Sequence, residues 1–349
     1  MKNMRSMRNS RNVKKVYISI IGILLILLFI PTPYYLNQPG SIEPLASKVT
    51  VEDGHKTEKG SLNLTTVYSI KASNPYIWLY GLVAPHTEIK KEEEVRGTLS
   101  DEEYNSLLLH MMDSSKQSAI IASFHEANKE VKFQYNGVFV ANVLSISKAK
   151  SAIKVGDIIH KVDGKTVNQA EQMISYLKEK KAGDKVELQY THNKKTKTAI
   201  VEVIMLNKKT GQVGIGISPE NNMSINPSLE VDINSENIGG PSAGLMFSLE
   251  IYNQMEKGDL TKGYKVAGTG TMDAKGNVGQ IGGIRHKIVA AHKAGVDIFF
   301  YPEDVTSQDT NEKEIKDEVK KEGYEIKIVP VRTLHEAIEY LEKLPEKKS

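Results

Sequence analysis

Gly239-Gly240-Pro241-Ser242-Ala243-Gly244-Leu245-Met246-Phe247-Ser248-Leu249-Glu250 is the stretch whose reading decides the fold. Leu245, Leu249 and Tyr252 recur at helical spacing, so a helix is expected to begin at Ser242. Pro241 breaks whatever precedes it, and the glycines let backbone approach closely. A serine at such a start has its hydroxyl beside the backbone N–H groups of the first turn, which lack intrahelical partners. Those donors suit a tetrahedral oxyanion.

A serine nucleophile needs a base. Downstream, Gln280-Ile281-Gly282-Gly283-Ile284-Arg285-His286-Lys287-Ile288-Val289-Ala290-Ala291-His292-Lys293-Ala294-Gly295 reads as a strand end, a glycine turn and a helix closed by Gly295. Lys287, His286 and His292 are the candidate bases. Burial and the positive end of a helix both lower a lysine pKa, so Lys287 in the first turn suits a Ser–Lys dyad. His286 and His292 read as surface histidines, and no metal-ligand spacing accompanies them.

Together, Gly-Pro-Ser-Ala-Gly and Ile-Gly-Gly-x-x-x-Lys-x-x-Ala-Ala-x-x-Ala-Gly resemble the proteolytic domain of Lon-type peptidases. The resemblance implies Ser242 as nucleophile and Lys287 as its base. It also implies that Thr269, in Ala267-Gly268-Thr269-Gly270-Thr271-Met272, supports the dyad. Gly60–Thr66 looks like the early strand of that domain, and Met112–Ala119 like its first helix. Gly239 stands where cytosolic members carry an acid, which puts gating by that acid in doubt. No Gly-x-x-x-x-Gly-Lys-Ser/Thr phosphate loop occurs in the sequence, so substrates are expected to be already flexible and no ATP to be needed. No cofactor or metal is expected.

Gly240–Gly244 also satisfies the Gly-x-Ser-x-Gly elbow of α/β-hydrolases, which would require Asp297 or Asp304 with His335. Ile238-Gly239-Gly240-Pro241 is a poor strand end for such an elbow. Other readings are a Ser242 that only caps its helix, and a catalytically inactive, membrane-tethered peptide-binding adaptor. The pairing of Ser242 with Lys287 argues against the inactive reading.

Between the early and late parts lies a different texture. Asn136-Gly137-Val138-Phe139-Val140 opens a strand, Val155-Gly156-Asp157-Ile158 follows, and Gln169 to Lys180 is amphipathic through Met173, Ile174 and Leu177. Strands follow from Val186 and from Thr198 to Leu206. This order resembles a PDZ domain. The resemblance implies that Gly137, Val138, Phe139 and Val140 bind an extended peptide by strand addition, between their strand and the Gln169 helix.

The N-terminus carries Lys2, Arg5, Arg8, Arg11, Lys14 and Lys15 without an acid, and these six belong to 46 basic against 43 acidic residues overall. The remainder has 40 basic and 43 acidic groups, an acidic balance that argues against a nucleic-acid partner. Apolar content of 40 % supports a packed core. The lack of cysteine excludes disulfides, thiolate metal sites and a cysteine nucleophile.

Val16–Ile30 is uncharged. Fifteen helical residues reach about 22 Å against a roughly 30 Å hydrocarbon layer, so Lys14, Lys15, Tyr34 and Tyr35 are needed at its flanks. Pro31–Leu36 is too bulky for a cleavage site, which favours a retained anchor over a signal peptide.

The layout is similar to membrane-anchored Lon-like PDZ proteases of Gram-positive bacteria. The expected organisation is α/β (α+β). It comprises a basic tail and single transmembrane helix at 1–36, a tether and first protease part at 37–123, an inserted PDZ domain at 124–207 and the Lon-like domain at 208–345. The tether is placed at 37–46, and Glu88–Glu94 is read as a solvated loop. The N-terminus is expected in the cytoplasm and both domains outside, acting on peptides or small unfolded proteins. The resemblance also allows an oligomer.

Overall fold

The computed structural model describes residues 2–56, 59–235 and 238–348. The chain divides into two compact units, Met1–Ser41 with Thr66–Thr98, and Ile42–Thr65 with Leu99–Ser349.

In the first unit, helix α1 covers Lys2–Leu27. Its apolar part starts only at Val16, so twelve residues, about 18 Å, are both helical and uncharged. Leu28 and Phe29 donate backward to Leu25 and Ile26, a tightened last turn, and Pro31 follows. Among the described residues no helix is long and apolar enough to cross a membrane, so the transmembrane helix expected at Val16–Ile30 is not found. The helix spends its first half on basic residues and stops before the apolar run does.

The expected tether is also corrected. Tyr34–Pro44 is a strand, paired antiparallel with Glu88–Lys91 from Tyr34↔Lys91 to Asn37↔Glu88. Gly40 marks a close approach there, since a Cβ would lie 2.2 Å from Thr66 Oγ1.

The charged run is ordered for a specific reason. It forms the Glu88–Lys91 strand and a short helix, and Glu92 is gripped by Arg96 at 2.7 Å and Lys71 at 3.0 Å. These partners hold its carboxyl below the usual range. Ahead of it lies helix α2, Pro75–Val83, begun by Pro75 and capped by Asn74, which accepts from Tyr76 N and Ile77 N at 3.1 and 3.2 Å. The short Glu92–Arg96 helix is α3.

The second unit opens on α4, Asp101–Glu126, with a reciprocal cap between Ser100 and Glu103. An antiparallel layer follows, its strands ordered Ile217–Pro227, Val131–Val143, Ile158–Val162, Lys185–His192, Lys195–Glu202. Helix α5, Ala170–Lys178, closes it by burying Met173 and Leu177 against Val138, Val140, Ile159, Val186 and Leu188. The strand expected from Thr198 to Leu206 is two, Lys195–Glu202 and Ile204–Asn207, broken where Val203 bonds instead with Gly183 and Asp184.

The remaining layer is parallel. Lys265–Gly268 runs between Ser61–Leu64 and Ile298–Pro302, and Lys327–Val331 lies beyond the latter. Phe300 packs in one core with Leu62, Leu64, Val266 and the Leu245, Phe247 and Leu249 side of α6, Gly244–Met255. Phe299 and Tyr301 point into the opposite core, with Ile284 and Ile288 of α7, Ile284–Lys293, and Ile315 of α8, Asn311–Glu322. Burial on both faces explains why Ile298-Phe299-Phe300-Tyr301 is apolar without alternation. Helix α9, Leu334–Glu342, joins the first core through Leu334, Ala337, Ile338 and Leu341.

Candidate active site

The chain reaches Ser242 by crossing α4. Gly240, at φ +87°, donates its N–H to Leu108 O at 3.1 Å, and a Cβ on Gly239 would stand 3.1 Å from Leu108 Cβ. Ser115 Oγ, also on α4, donates to Pro241 O at 3.0 Å. On the other side Ser242 O accepts from Gly270 N and from Thr269 Oγ1, both at 3.0 Å. The carbonyl of this serine is therefore clamped from the Thr269–Gly270 turn.

The helix expected to begin at Ser242 begins at Gly244 instead. A Cβ at Gly244 would lie 2.7 Å from Met272 Cβ, so only glycine lets α6 start so close to the Thr271–Met272 strand. Leu245 N is used by Gly270 O at 3.1 Å. Among the described residues, the N–H groups of Ser242 and Ala243 make no backbone hydrogen bond. The open donors are thus one step earlier than the helical reading placed them.

Lys287 projects from the first turn of α7, after Gly283 in the left-handed region at φ 72°. It is 3 % exposed. Its Nζ lies 3.0 Å from Ser242 Oγ and donates to Thr65 O at 2.7 Å. No carboxylate pairs with it among the described residues, and burial alone lowers its pKa to about 7. A neutral amine is within reach near neutral pH. Ser242, Lys287 and Thr269 are brought together. The sequence offered no sign that the carbonyl of Thr65 would orient the lysine, or that Leu108 and Ser115 would seat the approach to the serine, because these are contacts across elements.

The triad alternative is not assembled. Asp297 accepts from Lys265 N at 2.7 Å and pairs with Lys347 at 2.6 Å, Asp304 accepts from Glu312 N at 3.0 Å, and His335 pairs with Glu126 at 2.5 Å. His286 also departs from expectation. It is buried, 6 % exposed, because it shares the inward face of α7, whereas exposed His292 stacks on Tyr324 at 4.0 Å.

The expected peptide groove is different again. Gly137 has φ +124°, and a Cβ there would meet Ile159 O at 2.8 Å, so this glycine is required by backbone packing. Val138 pairs with Ile159 on one side and Asn221 on the other, and Phe139 with Ile158 and Glu220. Val140 donates to Asp157 O at 2.9 Å and is opposite Pro219. Neither edge of Val138–Phe139 is open to strand addition. The chain's own Ile217–Pro227 strand takes that position, and Asn221 Oδ1 accepts from Ala170 N, the first residue of α5, at 2.7 Å. Phe139 meanwhile stacks on His110 of α4 at 3.5 Å.

Residues 231–343 match the model of the Lon protease (S16) C-terminal proteolytic domain, and residues 114–203 match that of the PDZ domain. The chain carries a PDZ domain and a Lon-type proteolytic domain. The chain is 36 % identical over 107 residues to the Lon protease of Trichlorobacter lovleyi, covering 30 % of this chain and 12 % of that protein. It is 30 % identical over 111 residues to the Lon protease of Endomicrobium trichonymphae, covering 32 % and 13 %. The chain thus spans about an eighth of the length of these relatives. The PDZ domain is similar to that of the SdrC-like protein from Listeria monocytogenes, with 34 % identity over 25 % of this chain and 92 % of the other at a TM-score of 0.24. Ser242 and Lys287 both fall inside the Lon-type match, whereas Thr65 and Ser115, which touch the site, lie outside it.

Proposed function

We propose that the protein is an ATP-independent serine endopeptidase working through a Ser242–Lys287 dyad. The observation that carries this is the buried Lys287 amine, with its pKa lowered to about 7, at 3.0 Å from Ser242 Oγ. Neutral Lys287 takes the hydroxyl proton as Ser242 Oγ attacks the scissile carbonyl carbon. The N–H groups of Ser242 and Ala243 face the developing oxyanion, which a preorganised pair stabilises more than the ground-state carbonyl. Protonated Lys287 then gives its proton to the leaving amine, and the same lysine activates the water that releases the acyl group. Thr65 O keeps the amine aimed, and Thr269 Oγ1 fixes the serine carbonyl.

The substrates are flexible peptides or small unfolded proteins, recruited by the PDZ domain, whose groove is reached when the Ile217–Pro227 strand gives way. The PDZ domain is an insertion, near 124–207, in the protease domain. The protein attaches to the cell membrane through the exposed apolar half of α1, with both domains outside. Val16 to Ile30 are mostly exposed in the structure, an apolar surface that water disfavours.

The deciding experiment incubates the full chain in detergent, as wild type, Ser242→Ala and Lys287→Ala, with unstructured peptides and no ATP, and reads products by mass spectrometry. Cleavage by wild type alone is expected. Products that persist in Lys287→Ala but not Ser242→Ala would transfer the base to a histidine. No products from any form would leave the peptide-binding adaptor. Protease shaving of whole cells addresses location: both domains should be digested.

A further inference from the structure

Residues 72–85 of the first unit, Ala-Ser-Asn-Pro-Tyr-Ile-Trp-Leu-Tyr-Gly-Leu-Val-Ala-Pro, contain no charged side chain. Helix α2 lies within them and is apolar all round. A helix of that kind belongs inside a core or in lipid, yet Gly81 is its one buried residue. Gly81 explains how α2 is seated: a Cβ there would be 2.4 Å from Leu36 Cδ2, so the helix rides directly on fully buried Leu36. The other side faces out. Leu79, Tyr80, Leu82 and Val83 are 50, 54, 56 and 81 % exposed.

We infer that α2 is an interfacial membrane-binding helix, lying in the bilayer surface with Leu79, Leu82 and Val83 among the acyl chains and its aromatic residues at the headgroup level. Three observations on this unit point to lipid as the occupant. Nine helical residues reach about 13 Å, far too short to span but suited to lying flat. Tyr76, Trp78 and Tyr80 are the residue types that concentrate where hydrocarbon meets water, and Trp78 lies 6.0 Å from Tyr34 between ring centres. Lastly, α2 is continuous with the exposed apolar part of α1, because Tyr76 OH donates to Leu24 O at 2.7 Å. Two exposed apolar helices joined in this way share one solvent. A second contact adds apolar area that α1, with twelve uncharged helical residues, lacks on its own.

The inference rests on the membrane attachment proposed above, and one experiment separates the two. Trp78 is the chain's single tryptophan, so its fluorescence reports on α2 alone. The full chain is reconstituted with phosphatidylcholine–phosphatidylglycerol vesicles and floated. Emission is then compared in lipids brominated high in the acyl chain and near the bilayer centre. Co-flotation with blue-shifted emission, quenched more strongly by the shallow bromine, is expected. The exposed-site variant Leu82→Glu/Val83→Glu should still float through α1 but lose that quenching. Co-flotation with Trp78 unquenched would overturn the α2 inference while leaving attachment through α1 intact, and would turn attention to a protein partner for α2. Failure to float would overturn both.

Discussion

Two places in the second unit were expected to handle peptide, and the structure treats them in opposite ways. At Ser242 the residues singled out by motif converge, and the positions a substrate carbonyl would use are unfilled by backbone: Lys287 Nζ is 3.0 Å from Ser242 Oγ, and the N–H groups of Ser242 and Ala243 make no backbone bond among the described residues. At Gly137–Val140 the motif is also in place, but Val138, Phe139 and Val140 already lie opposite Asn221, Glu220 and Pro219 of Ile217–Pro227. A signature of residue types reports that a site can be built. It does not report whether the chain has already occupied it. A strand edge is satisfied by any backbone, including the protein's own, whereas a nucleophile and its base require particular side chains at particular distances.

The largest effect that can test this contrast is at the serine. Ser242→Ala should lower peptide cleavage by roughly 10⁴-fold or more, read by product formation, with the fold intact by circular dichroism. Residual turnover at wild-type levels would remove the convergence at Ser242 from the explanation.

Lys287→Ala should cost about 10²–10⁴-fold, the usual worth of a general base. Lys287→Arg should fare no better, since arginine keeps its proton. In the wild type, the active form has neutral Lys287, and its pKa is lowered to about 7. Activity should therefore rise with pH through about 7 and fall by about tenfold per pH unit below it. A flat profile from acid to neutral pH would mean that Lys287 does not titrate in the catalytic step.

A smaller effect tests the filled groove. Asn221→Ala removes the oxygen that accepts Ala170 N at the start of α5. Losing such a cap costs about 1 kcal/mol, so a free extended peptide competing for the same strand position should bind roughly fivefold tighter. Isothermal titration of both forms would check it. Unchanged affinity would mean that Ile217–Pro227 is not what a peptide displaces.

The smallest change is expected at Thr269→Val, which deletes one hydrogen bond to Ser242 O while keeping shape. At the low end of about 0.5–1.5 kcal/mol this lowers kcat about twofold. A loss as deep as that of Lys287→Ala would make Thr269 a participant in proton transfer instead of a clamp.

Much of the fold was readable where periodicity and burial coincide. The amphipathic α5 and the Met112–Ala119 part of α4 were legible in the sequence, and each packs as its reading implies. The misreadings share a cause. Residues 37–46 looked like a tether because Pro39 and Gly40 usually interrupt strands, but Gly40 is there to let Thr66 approach. Glu88–Glu94 looked like a solvated loop because it is acidic; it stays unburied, but it is a strand paired with Tyr34–Asn37 followed by α3, with Lys71 and Arg96 holding Glu92. His286 looked exposed because its chemistry is polar, although α7 turns it inward.

The sequence by itself determined the identities: a serine after Gly-Gly-Pro, a lysine one turn into a glycine-led helix, a charge-free 72–85 segment, and a basic N-terminus before an apolar run. These are properties of residue type and short-range spacing, which the chain carries before it folds. Only the tertiary structure decided that Lys287 would lie buried against Thr65 O, that α6 would begin at Gly244 under Met272, and that Ile217–Pro227 would fill the edge beside Val138. Each of those depends on backbone groups far apart in the chain. Backbone amides are the same at every residue, so their pairing leaves no mark in the sequence and is set by which elements the cores bring together.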